Sequence, residues 1–476
     1  MSALVGAIAH TSLGDAVTRV DSTITVHDSS VLASDRMDAL VTDAVFGEEA
    51  ARDYARWLIW EVAQAVGVRP ASIHELYMAR GRGDVTGGFT VPAMNIRGMS
   101  YDTAHSVFRV AKRLEAGAFL LEIARSEIAY TEQRPSEYVA VMLAAALREG
   151  FRGPVFIQGD HFQVNSKKYA VDPVAEVNNV KKLADEAIAA GFYNIDVDTS
   201  TLVDLSHGTL VEQQRKNYEE CAAITQYIRS QEPPSVTISI GGEIGEVGTE
   251  NSTTPELRAF MDGFNATLKG LAPNAAGLSK ISVQSGTSHG GVVLADGSMA
   301  DVALDLQTLE ELSKVAREEY GLCGAVQHGA STLPDAAFHN FPRTETAEIH
   351  LATNFQNMLY DHIPSALRDE IYAWLREHAK DERKSTDSDE QFFYKTRKKA
   401  LGPFKQQFWA LDAATKAKLA EAYDAKFTFL FTQLAIGGTK GAVKQTVKPL
   451  AIHRPMPGTP GHIVIEAAPD DASLSD

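Results

Sequence analysis

Cysteine is almost absent from this chain: Cys221 and Cys323 are the only two among 476 residues. A disulfide framework is excluded at that density, and a reducing cytoplasm is the compartment it suggests. Basic residues are outnumbered, 45 Lys and Arg against 62 Asp and Glu, giving a formal charge of −17. No basic face of the kind nucleic acid demands is expected from that balance. A phosphorylated ligand stays compatible, because local donors and a metal outweigh a distant negative field. Long apolar runs are missing too. The best, "YVAVMLAAAL" at 138–147, is about half of what a bilayer requires. The start, "MSALVGAIAHTSLGD", carries no Lys or Arg before Arg19, unlike a secretory signal. A soluble cytoplasmic protein without membrane or nucleic-acid partners is expected, and 44% hydrophobic with 22% charged residues is ordinary for one.

What is present is rhythm. Residues 1–88 read as a mostly helical extension: "DYARWLIWEVAQAVGV" places Tyr54, Leu58, Ile59, Val62 and Val66 at helical spacing. "GRGDVTGG" at 81–88 breaks the pattern, and without a following Lys-Ser or Lys-Thr it reads as a linker, not a phosphate loop. From residue 89 to about 365, short apolar segments alternate with helical ones. They are "FTVPAMN", "AFLLEIA", "PVFIQGDH", "YNIDVDTS", "SVTISIGGE", "LSKISVQSGTSH", "LCGAVQHGAS" and "AEIHLAT". Eight such segments predict an α/β fold, a (β/α)8 TIM barrel. In "DPVAEVNNVKKLADEAIAAG", Val174, Val177, Leu183 and Ile188 fall near one helical face and Gly191 marks the stop. Residues 366–476 read as a helical C-terminal extension ending in a disordered acidic tail, "EAAPDDASLSD".

In a barrel of this class the C-terminal strand ends face the active site, and polar residues gather there. Segment three ends in Asp160-His161, segment four carries Asp196 and Asp198, and segment five ends in Glu243. Segment six ends in His289 and segment seven in His328. Singly, Asp-His is also a turn, each histidine also a loop residue, Glu243 also an edge carboxylate and Asp198 also a helix cap. Together, three imidazoles and a carboxylate at one mouth suit a borderline cation such as Zn²⁺. Gly290, Gly329 and Ser331 follow the two later histidines, where backbone N–H groups can meet a phosphate.

Over residues 89–355 the chain resembles the class II, metal-dependent fructose-bisphosphate (ketose-bisphosphate) aldolases. "VPAMN", "GDH", "GGEIGEVGTE", "GTSHGG" and "QHGAS" are similar to that family's motifs in order and spacing. The resemblance implies Asp160 as catalytic acid/base and His161, Glu243, His289 and His328 as ligands of Zn²⁺ or another divalent cation. It implies Asn95, Gly290, Gly329, Ser331 and Thr353 as substrate- and phosphate-binding residues. Glu250 would move the proton at carbon, with Glu246 as second choice, from a polar loop of the kind that closes over sites. Asp198 would act behind the metal ligands. The implied reaction is reversible retro-aldol cleavage of a ketose bisphosphate, fructose 1,6-bisphosphate foremost, to dihydroxyacetone phosphate and glyceraldehyde 3-phosphate, in a homo-oligomer of two or more chains. Departures from the family pattern are Gly241 in place of a second Glu, Ala330 in the seventh motif, "HLAT" with His350 and Ala352, and "EIARSE" in the second strand. Ala352 and His350 would suit another reading, a metal-dependent ketose 4-epimerase working through the same bond cleavage; "QGDHFQVN" would also fit a non-catalytic aldolase partner subunit, though the full set His161, Glu243, His289 and His328 counts against it. Lys280 on a strand reads as a solvated or ion-paired residue, not a Schiff-base lysine, and "GGTKGAVKQTVKP" as a solvated basic face, not a second phosphate site.

Overall fold

The computed structural model describes residues 13–20, 23–245, 250–286, 304–459 and 462–466. A hairpin of β1 (Val17–Val20) and β2 (Thr23–Val26) leads into helices Asp35–Phe46 and Glu49–Ala65, then β3 (Val68–Ala71). The eight expected segments become β4 (Val91–Asn95), β5 (Leu120–Ala124), β6 (Gly153–Gln163), β7 (Asn194–Asp198), β8 (Ser239–Glu243), β9 (Lys280–Val283), β10 (Ala325–Gln327) and β11 (Glu348–Leu351). All pair in parallel, in chain order, and β11 returns to β4 to close the ring. The fold is a (β/α)8 barrel. Strands β4, β5 and β7 are buried along their whole length, as in a sheet covered by helices on one side and closed on itself on the other.

Five short strands, β1 to β3 and two near the C-terminus, went unread in the extensions, because each is too short to show a period of two. β3 pairs with the first half of β6, Val68 opposite Gly153 through Ala71 opposite Phe156, and the second half of β6 turns to β7. Asn194 stitches this fork. Its Oδ1 accepts from Ile73 N–H at 2.9 Å, and its Nδ2 donates to Ala71 O at 3.1 Å and Ile157 O at 3.0 Å. At the other end of the chain β12 (Ala451–His453) pairs with β13 (Val464–Glu466), and Trp60 Nε1 of the helix Glu49–Ala65 donates to Ile452 O at 2.6 Å. The two extensions therefore pack on each other. The helix after β6, Pro173–Ala190, ends at Gly191 with φ +110° as expected, but Val174 is exposed. Val177 and Ile188 are buried as expected and Leu183 packs half-buried against the core; Val180, Ala184 and Ala187 complete that face. The acidic tail lies outside the described residues, and no helix among the described residues is long and apolar enough to cross a membrane.

Alternation along the strands turns Glu122, Gln158, Asp196, Lys280 and Glu348 inward, and they form one connected polar core. Gln158 Nε2 donates to Glu122 Oε2 and Glu348 Oε1, both at 2.8 Å. Lys280 Nζ donates to Gln158 Oε1 at 2.8 Å and pairs with Asp196 at 3.0 Å and Glu348 at 2.5 Å. Lys280 is thus ion-paired and fully buried, not solvated. Tyr77 of helix His74–Gly81 donates its hydroxyl to Glu348 from the strand N-terminal side and closes that end of the barrel. Burial raises the Glu348 carboxyl, but Lys280 and His350 outweigh it and bring it down to about 2. Glu122 goes the other way: burial pushes it up to about 8 although His350 opposes the shift.

Two expectations follow for stability. Lys280→Met leaves buried carboxylates without their cation and should cost about 3–5 kcal/mol, read as a lower urea midpoint; a loss below about 1 kcal/mol would contradict the network. His74 is held down at about 4 by burial and by repulsion from Arg229 and Arg82. The unfolded chain takes up that proton near 6.5 and the folded chain does not, so His74 withdraws stability as pH falls from about 6.5 to 4, on the order of 3 kcal/mol in total. A His74→Gln variant should lose that slope in pH-dependent urea unfolding, and an unchanged slope would show that His74 protonates freely in the fold.

Candidate metal and substrate site

The decisive local event is a break in β6. Its register against β7 shifts between Gly159 and Phe162, and His161 sits at φ +41° in the left-handed region. A bulge of this kind re-aims side chains. In a regular strand consecutive residues face opposite ways; here Asp160 and His161 both line the same cavity. Phe162 folds back over residue 159, where a Cβ would lie 2.4 Å from its ring, so the position requires glycine.

Around that bulge the strand ends assemble a cavity of about 490 Å³. Asn95, at the end of β4, donates through Nδ2 to Asp160 Oδ2 at 2.9 Å and to Glu127 Oε2 at 2.9 Å. His161 Nδ1 lies 2.9 Å from Asp198 Oδ2 and 3.2 Å from Glu243 Oε2, while its Nε2 faces Asp160 Oδ1 at 3.7 Å. The rings of His161, His328 and His350 follow one another with centroids 4.3 and 4.1 Å apart. His350 Nδ1 lies 3.2 Å from Asp160 and 3.0 Å from Glu122, and its Nε2 2.7 Å from Glu348, so it links the cavity floor to the polar core beneath. Burial pushes Asp160 up, but the neighbouring cationic histidines outweigh it and hold the carboxyl well below the ordinary carboxylate range. Burial and the Asp198 charge push Glu243 up to about 7, with His161 opposing.

The sequence-assigned residues divide into three groups. Asn95, Asp160, His161, His328, Gly329, Ser331 and Thr353 all line the cavity. Asp198 and Glu243 stand behind His161, on its Nδ1 side. Glu250 is exposed and does not line the cavity, being separated from β8 by residues 246–249; those residues, His289 and Gly290 lie outside the described residues. Gly241 is explained by crowding, since a Cβ there would meet Asp196 Oδ1 at 2.3 Å and Lys280 Cε at 2.8 Å. The basic run near the C-terminus packs at the far end of the barrel, where Thr439 Oγ1 accepts from Gly117 N–H at 3.0 Å just before β5. Sequence reasoning left several lining residues unassigned: Arg97, Arg125, Tyr130, Lys168, His350 and Lys398, together with Glu127. Arg97 and Glu127 were within reach, two and three residues beyond strand ends; Lys398 gave no signal.

The family described as "Fructose-bisphosphate aldolase class-II" matches residues 85–407. The chain belongs to that family. No curated protein matches it. Among solved structures it is similar to a protein described as a "probable tagatose 6 phosphate kinase" from Sinorhizobium meliloti 1021, at 16% identity and TM-score 0.52 over 75% of this chain and 98% of that one. It is similar also to a fructose-bisphosphate aldolase from Campylobacter jejuni (15%, TM-score 0.46, 78% and 97%) and to a fructuronate-tagaturonate epimerase from Cohnella laeviribosi (12%, TM-score 0.49, 74% and 82%). At these identities the likeness is one of fold.

Class II aldolases depend on a metal, and the donors here fit one. One atom each of Asp160, His161 and His328 lie within 4.8 Å of one another, and the same holds for His161, Asp198 and Glu243. Asp160 Oδ1 is buried and receives no hydrogen bond among the described residues. With Nδ1 turned to Asp198, His161 presents Nε2 to the cavity, the arrangement in which a carboxylate fixes the tautomer of a ligating imidazole. Asp198→Asn should weaken Zn²⁺ binding about 10–100-fold, measured by competition against a chromophoric chelator. Equal affinity in the variant would remove Asp198 from the metal's support.

Proposed function

We propose that this class II aldolase cleaves a ketose bisphosphate, fructose 1,6-bisphosphate foremost, reversibly to dihydroxyacetone phosphate and glyceraldehyde 3-phosphate. Zn²⁺ is the cation the imidazole-rich donor set favours, and the cytoplasm and a homo-oligomer are the setting that fits the family. The observation carrying this reading is the β6 bulge, which turns the ionised Asp160 and His161 into one cavity beside His328. His161 and His328 would hold the cation, with His289 assigned to it by sequence resemblance. A cation there supplies Lewis-acid polarisation of the substrate carbonyl.

The protein's own groups account for the rest. The positive charge gathered beside Asp160 holds its carboxyl well below the ordinary carboxylate range, so it enters as a base and takes the C4 hydroxyl proton as the C3–C4 bond breaks. C4 leaves as the aldehyde, and the electron pair stays with the C2–C3 fragment. That fragment is quenched by a proton at C3, the step assigned to Glu250, whose loop would have to fold inward to deliver it. Asn95 fixes the Asp160 carboxylate through Oδ2 and leaves Oδ1 facing His350 Nδ1 at 3.2 Å and His161 Nε2 at 3.7 Å. Gly329, Ser331 and the N-terminus of helix Thr353–His362 form the cradle we assign to the phosphate nearer the carbonyl.

A cleavage assay on fructose 1,6-bisphosphate tests the reading. Triose phosphate release should be abolished by a chelator and restored by Zn²⁺, and Asp160→Asn should lower kcat by about 10²–10⁴-fold with the metal still bound. No triose release from zinc-loaded protein would end the aldolase assignment, and a C4-inverted ketose in the same mixture would establish the epimerase instead.

A further inference from the structure

One polar side chain in the cavity wall is held in a single orientation by its neighbours. Asn95 ends β4, is 2% exposed and lines the cavity. Its Nδ2 carries two hydrogens, and both go to carboxylates, Asp160 Oδ2 at 2.9 Å and Glu127 Oε2 at 2.9 Å. Turning the amide over would forfeit two charge-assisted hydrogen bonds and set the carbonyl lone pairs against two carboxylates. Oδ1 is therefore directed away from both. Among the described residues no donor reaches that oxygen.

Glu127 makes this lock possible. It is 3% exposed, and both of its oxygens are engaged: Oε2 also accepts from Ala124 N–H at 3.0 Å, and Oε1 accepts from Arg97 Nε at 2.5 Å. The carboxylate cannot turn. Arg97 thus holds Glu127, Glu127 holds Asn95, and Asn95 holds Asp160. Asp160 alone would fix one amide hydrogen and leave the plane free to pivot about that bond; the second carboxylate fixes the plane.

An acceptor left unpaired in a buried position is costly. The cavity is on the open side of Asn95, so the ligand has to bring the donor. A carbonyl or a carboxylate has none to give, whereas a hydroxyl has one. The position of Asn95 says which hydroxyl. It shares Asp160 with the C4 hydroxyl of the proposed reaction, so its oxygen faces a neighbouring carbon. β4 pairs with β11, Met94 opposite Leu351, and Thr353 of the carbonyl-side phosphate cradle follows two residues later. Asn95 therefore stands toward the carbonyl end of the sugar, at C3 and not at C5.

We infer that Glu127 is a positioning residue: it fixes the Asn95 amide with its oxygen toward the cavity, so that the site reads the C3 hydroxyl of the ketose as a hydrogen-bond donor. The inference rests on the aldolase reading and deepens it. The fragment that keeps the carbonyl is of the dihydroxyacetone type, and a ketone phosphate lacking that hydroxyl is rejected.

Binding to the zinc-loaded, full-length protein tests this without turnover. Dihydroxyacetone phosphate and hydroxyacetone phosphate differ only in the hydroxyl at issue, and their affinities are compared by titration calorimetry. Wild-type protein should prefer the first by about 10–100-fold, the range expected for leaving a buried acceptor unpaired. Glu127→Gln replaces one acceptor by a donor and frees the amide to reverse. That variant, Asn95→Ala and the double variant should lose the preference to the same extent, because the two residues act as one unit. Absence of the preference in wild-type protein overturns the inference. A Glu127→Gln variant that binds both ligands more weakly but keeps the preference has lost only structure, and that too overturns it, as does a further loss in the double variant. Cleavage is scored separately. Protein that shows the preference and its loss in Glu127→Gln, yet releases no triose phosphate, ends the aldolase assignment and keeps the Glu127–Asn95 lock; protein that binds neither ligand loses both.

Discussion

Everything at the mouth of this barrel depends on a one-residue irregularity in β6. A regular strand would send either Asp160 or His161 into the barrel wall. The shift after Gly159, with His161 at φ +41°, brings both into the cavity. The cost of a non-glycine residue in the left-handed region is roughly 1–2 kcal/mol, and the fold has to offset it. It does so with the Asp198 and Glu243 contacts on one side of the imidazole and the Asn95 contact on the carboxylate next to it.

Below the bulge, the polar core supplies the rigidity that this arrangement needs. A barrel interior filled with Val, Ile and Leu would pack well and orient nothing. Here Glu122, Gln158, Lys280 and Glu348 interlock through hydrogen bonds, and His350 stands on top of them with its other edge against Asp160. Each carboxylate in the stack is controlled by its neighbours: Glu348 is kept ionised by Lys280, and burial drives Glu122 towards its neutral form. The site is thus continuous with the folding core, and its electrostatics are set several residues below the surface where ligands bind.

Much of this was legible in the sequence. Eight apolar segments at barrel spacing announced the strands, and polar residues at their C-terminal ends marked the mouth. Asp160, His161 and His328 converge because parallel strands in chain order leave them nowhere else to go. The rest was hidden for identifiable reasons. β3 is four residues long and its pairing partner is 85 positions on, so nothing local specified it. Lys398 lines the cavity although nothing in the sequence assigned it there, while Glu250, assigned by resemblance, follows residues 246–249, which lie outside the described residues. Long-range placement of a turn onto a helix leaves no periodic trace. Lys280 was read as solvated or paired, and only the strand register shows that it points inward.

The clasp between the two ends of the chain has a consequence for how the molecule comes into being. Trp60 and Ile452 are 392 positions apart, and Trp57 Nε1 likewise donates to Arg454 O at 2.9 Å across 397. During synthesis the helix Glu49–Ala65 emerges long before the strand that covers its indoles, so two large apolar side chains wait uncovered while the entire barrel is made. Contacts of such separation are slow to form. Until then only the neighbouring helices cover that surface, and closure of the clasp comes after the barrel strands have been made.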